Sequence, residues 1–325
     1  MHQFDEIQSH LAPELTRMNE IIRESLFTPN QLMNQVVTGY LQTKGKQIRP
    51  LLVLLSAKFF GGVTPDTLYA AAALEMLHNA SLIHDDVVDE TSLRRGAATV
   101  NALWGNHLAV LVGDFFVSNA LAAGIRTGHI DVISALSDLG KELSLGEVDQ
   151  ICNVREHHFD EKSYIDMIRK KTASLFMNCV KLGAVTAGAS AEEYAAMVRY
   201  AELLGLCFQI RDDIFDYCSE EAAIGKPTGN DLREGKVTLP LIYALQACEG
   251  AKGEECRRLL RRGNLTPEEI AMLVKLARDN GGVEYAYSYM RRLQEEADAL
   301  LAEYPESEWR ERFGRLFDFI ITRSK

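Results

Sequence analysis

Proline is absent from residues 67 to 225, although the chain has eight, at positions 13, 29, 50, 65, 227, 240, 267 and 305. A proline-free span rich in Ala, Leu, Met and Glu favours helix. Period-two alternation of apolar and polar residues is scarce, which argues against a sheet. The six cysteines form no C-x-x-C pair, so no zinc site is expected and they read as reduced thiols of a cytosolic protein. Basic residues do not prevail: 46 Asp+Glu face 35 Lys+Arg, a net charge of −11 that disfavours nucleic acid as a partner. Met1–Glu6 has neither the basic nor the apolar region of a secretory signal. The charge-free stretch from Gly96 to Gly113 is broken by Asn101, Asn106 and His107, so no transmembrane segment is expected. Both phosphate-binding fingerprints of α/β nucleotide folds, G-x-x-x-x-G-K-[ST] and a strand-borne G-x-G-x-x-G, are missing.

What is present is helical. Thr67–Glu90 and Ala191–Tyr217 repeat apolar residues at three- and four-residue spacing. Short breakers such as Gly61-Gly62, Gly188-Ala189-Ser190 and Gly281-Gly282 divide such segments. No linker or repeat stands out. The reading is all-α: one helical-bundle domain over residues 1–325, with about ten or more helices.

The sharpest local feature is the D-D-x-x-D run Asp85-Asp86-Val87-Val88-Asp89, and it recurs as Asp212-Asp213-Ile214-Phe215-Asp216. In each, the first and last aspartates are four apart and share a helix face. Like charges at that spacing repel, so the fold alone gives no reason for them. Two such clusters, each ending an apolar helix, suit a hard cation that takes a few carboxylates, waters and substrate phosphates. An EF-hand is excluded, because no D-x-[DN]-x-[DN]-G loop occurs.

Cations accompany the clusters. They are Lys44, Lys46 and Arg49 before Pro50, Arg94-Arg95 after the first cluster, Arg169-Lys170-Lys171 before Thr172, and Lys226 and Lys236 after the second. Together they make a diphosphate site plausible, with arginine forks gripping oxygens and lysines supplying point charge. His78 lies seven residues before Asp85, two turns back on nearly the same face. His84 and the His157-His158 pair have no such alignment and read as structural and solvated.

These elements resemble, in order, the motifs of the trans-isoprenyl diphosphate synthases, or polyprenyl synthetases. The match comprises Gly45-Lys46-x-x-Arg49-Pro50, His78, Asp85–Asp89 with Arg94-Arg95-Gly96, Lys171-Thr172, Phe208-Gln209, Asp212–Asp216, and Gly225-Lys226-x-x-Gly229-x-Asp231-x-x-x-Gly235-Lys236-x-Thr238-Leu239-Pro240. The resemblance implies the isoprenoid synthase fold around a deep apolar central cavity, a homodimer, and three Mg²⁺ ions held on an allylic diphosphate between the clusters. Asp85, Asp89, Asp212 and Asp216 would then ligate metal, with Asp86 and Asp213 in support. Arg94, Lys171, Gln209, Lys226 and Lys236 would line the allylic diphosphate site. Lys46, Arg49, His78 and Arg95 would hold isopentenyl diphosphate, and Thr172 would act near the reacting centre. One departure is Arg211, a cation directly before the second cluster, expected to pair with a nearby carboxylate.

The implied reaction is ionisation, condensation and elimination. It needs cations on the leaving diphosphate and a site that excludes water. In the family, bulky aromatics just before the first cluster shorten the product. Here Ala80 and Ser81 stand there, so a long chain of roughly six to ten isoprene units, centrally octaprenyl, is expected for a quinone side chain. The alternatives are a shorter farnesyl or geranylgeranyl product, or a subunit of a heteromeric synthase. A non-catalytic subunit is disfavoured by two intact clusters. A terpene cyclase would not need Lys46, Arg49 and His78.

Overall fold

A computed structural model describes residues 2–42, 45–94, 96–218 and 228–323. The all-α expectation holds. The helices are α1 (His2–His10), α2 (Ala12–Leu26), α3 (Gln31–Gln42), α4 (Ile48–Phe60), α5 (Pro65–Val88), α6 (Val100–Trp104), α7 (Asn106–Arg126), α8 (Ile130–Glu156) and α9 (Glu161–Ile168). A π-helical turn, Arg169–Ala173, leads into α10 (Ser174–Thr186) and α11 (Ala191–Cys218). Then come α12 (Asn230–Arg233), α13 (Leu239–Ala247), α14 (Gly250–Arg262), α15 (Pro267–Asp279), α16 (Gly282–Ala302) and α17 (Glu308–Thr322). The sequence hid one small ribbon, β1 (Leu93–Arg94) against β2 (Ala97–Ala98), antiparallel with Leu93 opposite Ala98. Two residues per strand are too few to show alternation.

α5 begins where the sequence marks it. The Thr64 hydroxyl accepts from the Thr67 N–H while the Thr67 hydroxyl accepts from the Thr64 N–H, and Pro65 takes the first helical position. Ala70 to Leu74 are fully buried, so the middle of α5 is hydrophobic all round. It packs most extensively on α7, while α4 lies along α10 and α11 along α10 and α16. One apolar cluster runs from Phe4 to Ile320 through these helices. α7 is long and apolar enough to cross a membrane, with a mean hydropathy of 1.8. Core helices share that property, and Ala109, Val112, Phe116 and Ala120 of α7 are buried in the interior. All six cysteines are free thiols.

Two glycines set how closely helices approach the π turn. A Cβ on Gly146 of α8 would lie 2.6 Å from the Lys171 backbone nitrogen, and one on Gly205 of α11 would lie 2.6 Å from Ala173 Cα. Both obstacles are backbone, which cannot swing aside. α8 and α11 therefore clasp the π turn from two sides. π turns are uncommon and frequently mark functional positions. Gly146→Ala and Gly205→Ala should each destabilise the protein by about 1–3 kcal/mol through overpacking. Thermal unfolding checks this; unchanged midpoints would mean that the clasp yields freely.

Candidate active site

Both aspartate clusters fall in the C-terminal turns of long helices, α5 and α11. The helix dipole is negative there, so carboxylates are disfavoured by position as well as by mutual repulsion. Asp85 and Asp89 open into a cavity of about 440 Å³, together with His78, Ser81, Arg49, Lys171 and Thr172. The predicted alignment of His78 with the cluster is thus realised. Leu143, Val148 and Ile151 of α8 and Leu175 of α10 supply apolar wall. Burial, with the nearby Glu147 charge, pushes the Asp85 carboxyl up to about 6 despite Lys171. His84 also lines the cavity, but its ring packs against Gly113 of α7 and bonds the Val110 carbonyl at 3.2 Å, in keeping with a structural role.

Asp86 points elsewhere. It is buried and accepts from Arg94 Nε at 2.8 Å, with Arg94 Nη2 also at 2.8 Å. This pair borders a separate cavity of about 350 Å³ with Tyr40, Asn79 and Trp104. Arg94, expected at the allylic diphosphate, is thus occupied by Asp86. One residue step rotates a helical side chain by about 100°, which separates Asp86 from Asp85 and Asp89.

In the second cluster all three aspartates have protein partners. Asp213 is buried and accepts from Tyr164 Oη at 2.6 Å and from Gln209 Nε2 at 2.7 Å. Gln209 Oε1 in turn accepts from the Thr172 hydroxyl at 2.8 Å. This chain ties the π turn to α11. Asp216 caps α12: its two oxygens accept the Asn230 and Asp231 backbone N–H groups at 2.9 and 3.0 Å. Asp212 faces the chain's C-terminal end, accepting from Arg323 at 2.7 Å. Burial pushes its carboxyl up, against Arg323, Arg49 and Lys46, which pull it down. Lys46 also lies 5.8 Å over the Phe319 ring of α17. Among the described residues Arg211 pairs with no carboxylate. It donates to the Arg323 carbonyl, because the tail places a lone acceptor where its fork points.

Lysines sit between the clusters. Lys171 pairs with Glu147 at 2.6 Å and Gln150 at 3.0 Å. It lines both the first cavity and a second of about 140 Å³, which holds Gln209, Asp213, Asp231 and Lys236. Its neighbours in the π turn are pinned separately, Arg169 to Glu202 and Lys170 to Asp149. Burial lowers the Lys236 pKa, but its 2.5 Å pair with Glu234 and the Asp89 and Asp231 charges outweigh this and leave it raised. Asp231 is pushed well up by burial and by Asp213 and Asp216. Ser81 lines the first cavity, whereas Ala80 is buried and does not line it. Arg95 and Lys226 lie outside the described residues. Sequence reasoning missed Glu147, Gln150, Tyr164 and Arg323; only the i, i+3 pair Glu147 and Gln150, next to Gly146, left a readable trace.

Among the described residues, no three His, Cys, Asp or Glu side chains converge to hold an ion by themselves. That donor set fits Mg²⁺, which takes one or two carboxylates and completes its shell with water and substrate phosphate. Asp85 and Asp89 are the carboxylates that open into the first cavity, and Asp212 is half-exposed beside Arg323.

The polyprenyl synthetase family model matches residues 30–277. The octaprenyl diphosphate synthase of Haemophilus influenzae is 34% identical over 98% of this chain and 97% of its own. A short chain isoprenyl diphosphate synthase of Methanothermobacter thermautotrophicus is 35% identical over 94% of this chain and 95% of its own. The crystal structure of a decaprenyl diphosphate synthase from Rhodobacter capsulatus superposes with a TM-score of 0.93 at 32% identity, covering 99% of both chains. The chain belongs to the polyprenyl synthetase family and is a prenyltransferase, a trans-prenyl diphosphate synthase.

Asp85 titrates near 6 in the fold and near 3.9 in an unfolded chain. Its ionised form therefore weighs against folding above pH 6, and the penalty fades as pH falls towards 4. In metal-free protein at pH 8, Asp85→Asn should add about 1–2 kcal/mol of stability, discounted because the carboxyl opens to the cavity. Thermal melts across pH 4–8 check this; a variant no more stable at pH 8 would refute it.

Proposed function

We propose that the chain is a long-chain all-trans polyprenyl diphosphate synthase, a single domain that extends an allylic diphosphate with isopentenyl diphosphate to about eight units. The observation that carries this is the first cavity. There Asp85 and Asp89 meet Lys171, Thr172, Arg49 and His78 above an apolar α8 wall, with no large side chain at Ser81. Bound Mg²⁺ would neutralise charge on the leaving diphosphate as the C–O bond breaks. Asp85, Asp89 and Asp212 are the residues to hold it.

The chain's own groups do the rest. Lys171 and Lys236 add positive charge on the diphosphate's side of the cavity. Lys46, Arg49 and His78 would hold isopentenyl diphosphate. The Thr172 hydroxyl is fixed by Gln209 at 2.8 Å, so its proton is directed away from the reacting carbons and its lone pairs remain available to a cation. Leu143 and Leu175 present an apolar side to the allylic cation, which must be kept from water.

Ser81 rather than Ala80 is the gate of chain length, because it lines the cavity. A second reading, a shorter product, is favoured by the equally similar short-chain relative. We assign the product to a quinone side chain, and the free thiols to a reducing compartment such as the cytoplasm.

Purified protein with Mg²⁺, farnesyl diphosphate and labelled isopentenyl diphosphate should give prenyl chains of about eight units by chromatography. Ser81→Phe should shorten them. No incorporation by the protein alone would reject a homomeric synthase, and an unchanged product from Ser81→Phe would reject the gate.

A homodimer is supported by an apolar strip on α6 and α7: Leu103, Trp104, Val110, Leu111, Leu121 and Ile125 are exposed. Apolar surface of this extent marks an association face. Leu111→Glu should convert a dimer to monomer in sedimentation; a dimer that persists would place the interface elsewhere.

A further inference from the structure

We propose that Arg211 is a positioning residue that seats Arg323 on Asp212, making the C-terminal end of α17 a resident counter-cation that a divalent metal must displace. The inference rests on the metal reading of the second cluster.

Arg211 is buried. Its Nε and Nη2 both donate to the Arg323 carbonyl, at 3.1 and 2.8 Å, and Nη1 donates to the Tyr287 hydroxyl. Its guanidinium carbon lies 4.6 Å from the Phe215 ring centre and 5.2 Å from that of Tyr287. Two parallel N–H bonds to one oxygen, with aromatic contacts to the same planar group, use properties of arginine that lysine lacks. The carbonyl so held is the C-cap of α17, one of the acceptors a helix end leaves without an internal partner. A fixed carbonyl fixes the residue that bears it.

The Arg323 side chain then turns back over α11. It lies 4.2 Å from the Phe208 ring centre and donates through Nη2 to the Phe208 carbonyl at 3.0 Å and to Asp212 Oδ1 at 2.7 Å. The guanidinium side is 9% exposed and the Asp212 side 40%. The cation is therefore lodged in the protein, while the carboxylate stays open to an arriving ion. That geometry fits competition: an oxygen already accepting a charge-assisted bond offers less to a metal, and two cations on one carboxylate repel. Asp85 and Asp89 are not in this contact, so the effect falls on one cluster only. Arg211 touches neither the metal seat nor the cavity, and acts through Arg323.

The test isolates the second cluster. In full-length protein carrying Asp85→Asn and Asp89→Asn, Mn²⁺ binding is titrated by the electron paramagnetic resonance of the free ion, with inorganic diphosphate supplying the phosphate oxygens and a protein-free titration as reference. Arg323→Gln and Arg211→Met should each tighten Mn²⁺ binding roughly three- to tenfold, as expected for losing one partly exposed ion pair. Arg323→Lys, which keeps the charge, should restore parental affinity. Arg323→Gln lies at the chain end and decides the matter should Arg211→Met fail to fold. Equal or weaker Mn²⁺ binding by Arg323→Gln overturns the latch while leaving the synthase reading intact. No Mn²⁺ bound by parent or variants overturns the metal reading of Asp212 and the latch with it.

Discussion

Carboxylates held at the negative ends of apolar helices, close to one another and partly out of water, are the constraint around which this structure is arranged. Asp85, Asp212 and Asp213 all have raised carboxyl pKa values, and burial is the first cause of each. Such an arrangement opposes folding and persists only where neighbours compensate it. Arg94 answers Asp86, Tyr164 and Gln209 answer Asp213, two backbone N–H groups answer Asp216, and Arg323 answers Asp212. Asp85 and Asp89 are left facing the cavity, beside Lys171.

The compensation depends on close packing. α8 and α11 reach the π turn only because Gly146 and Gly205 carry no side chain. That approach brings Glu147 and Gln150 to Lys171, and Gln209 to Thr172. Positions fixed by backbone contact need no reorganisation when charge develops in a reaction, the condition under which dipoles and cations stabilise a transition state best. Leu143 of α8 and the buried Leu175 of α10 give the same cavity an apolar side.

Much of this was legible beforehand. Helices followed from the proline-free span, and both clusters from their four-residue repeat. The alignment of His78 with Asp85 followed from helical pitch, and the structure keeps it. Other parts were not readable. The pairing of Arg94 with Asp86 was one, because sequence spacing does not show that the hairpin folds Arg94 back onto that carboxylate. Arg211 looked like a cation for a carboxylate, and its actual partner is a carbonyl 112 residues away. Tyr164 had no signal, since nothing local distinguishes a core tyrosine from one that orients a carboxylate 49 residues on.

The sequence by itself determined the helical class, the acidic and basic residue types at spacings that put them on single helix faces, and the family. Those properties depend on local periodicity and on short motifs, which the linear order contains. Only the tertiary structure decided that Asp85 and Asp89 face the cavity while Asp86 is consumed internally, and that Arg323 occupies Asp212. The physical reason is that a side chain's charge is set by its neighbours in space. Here the decisive neighbours come from helices far apart in the chain.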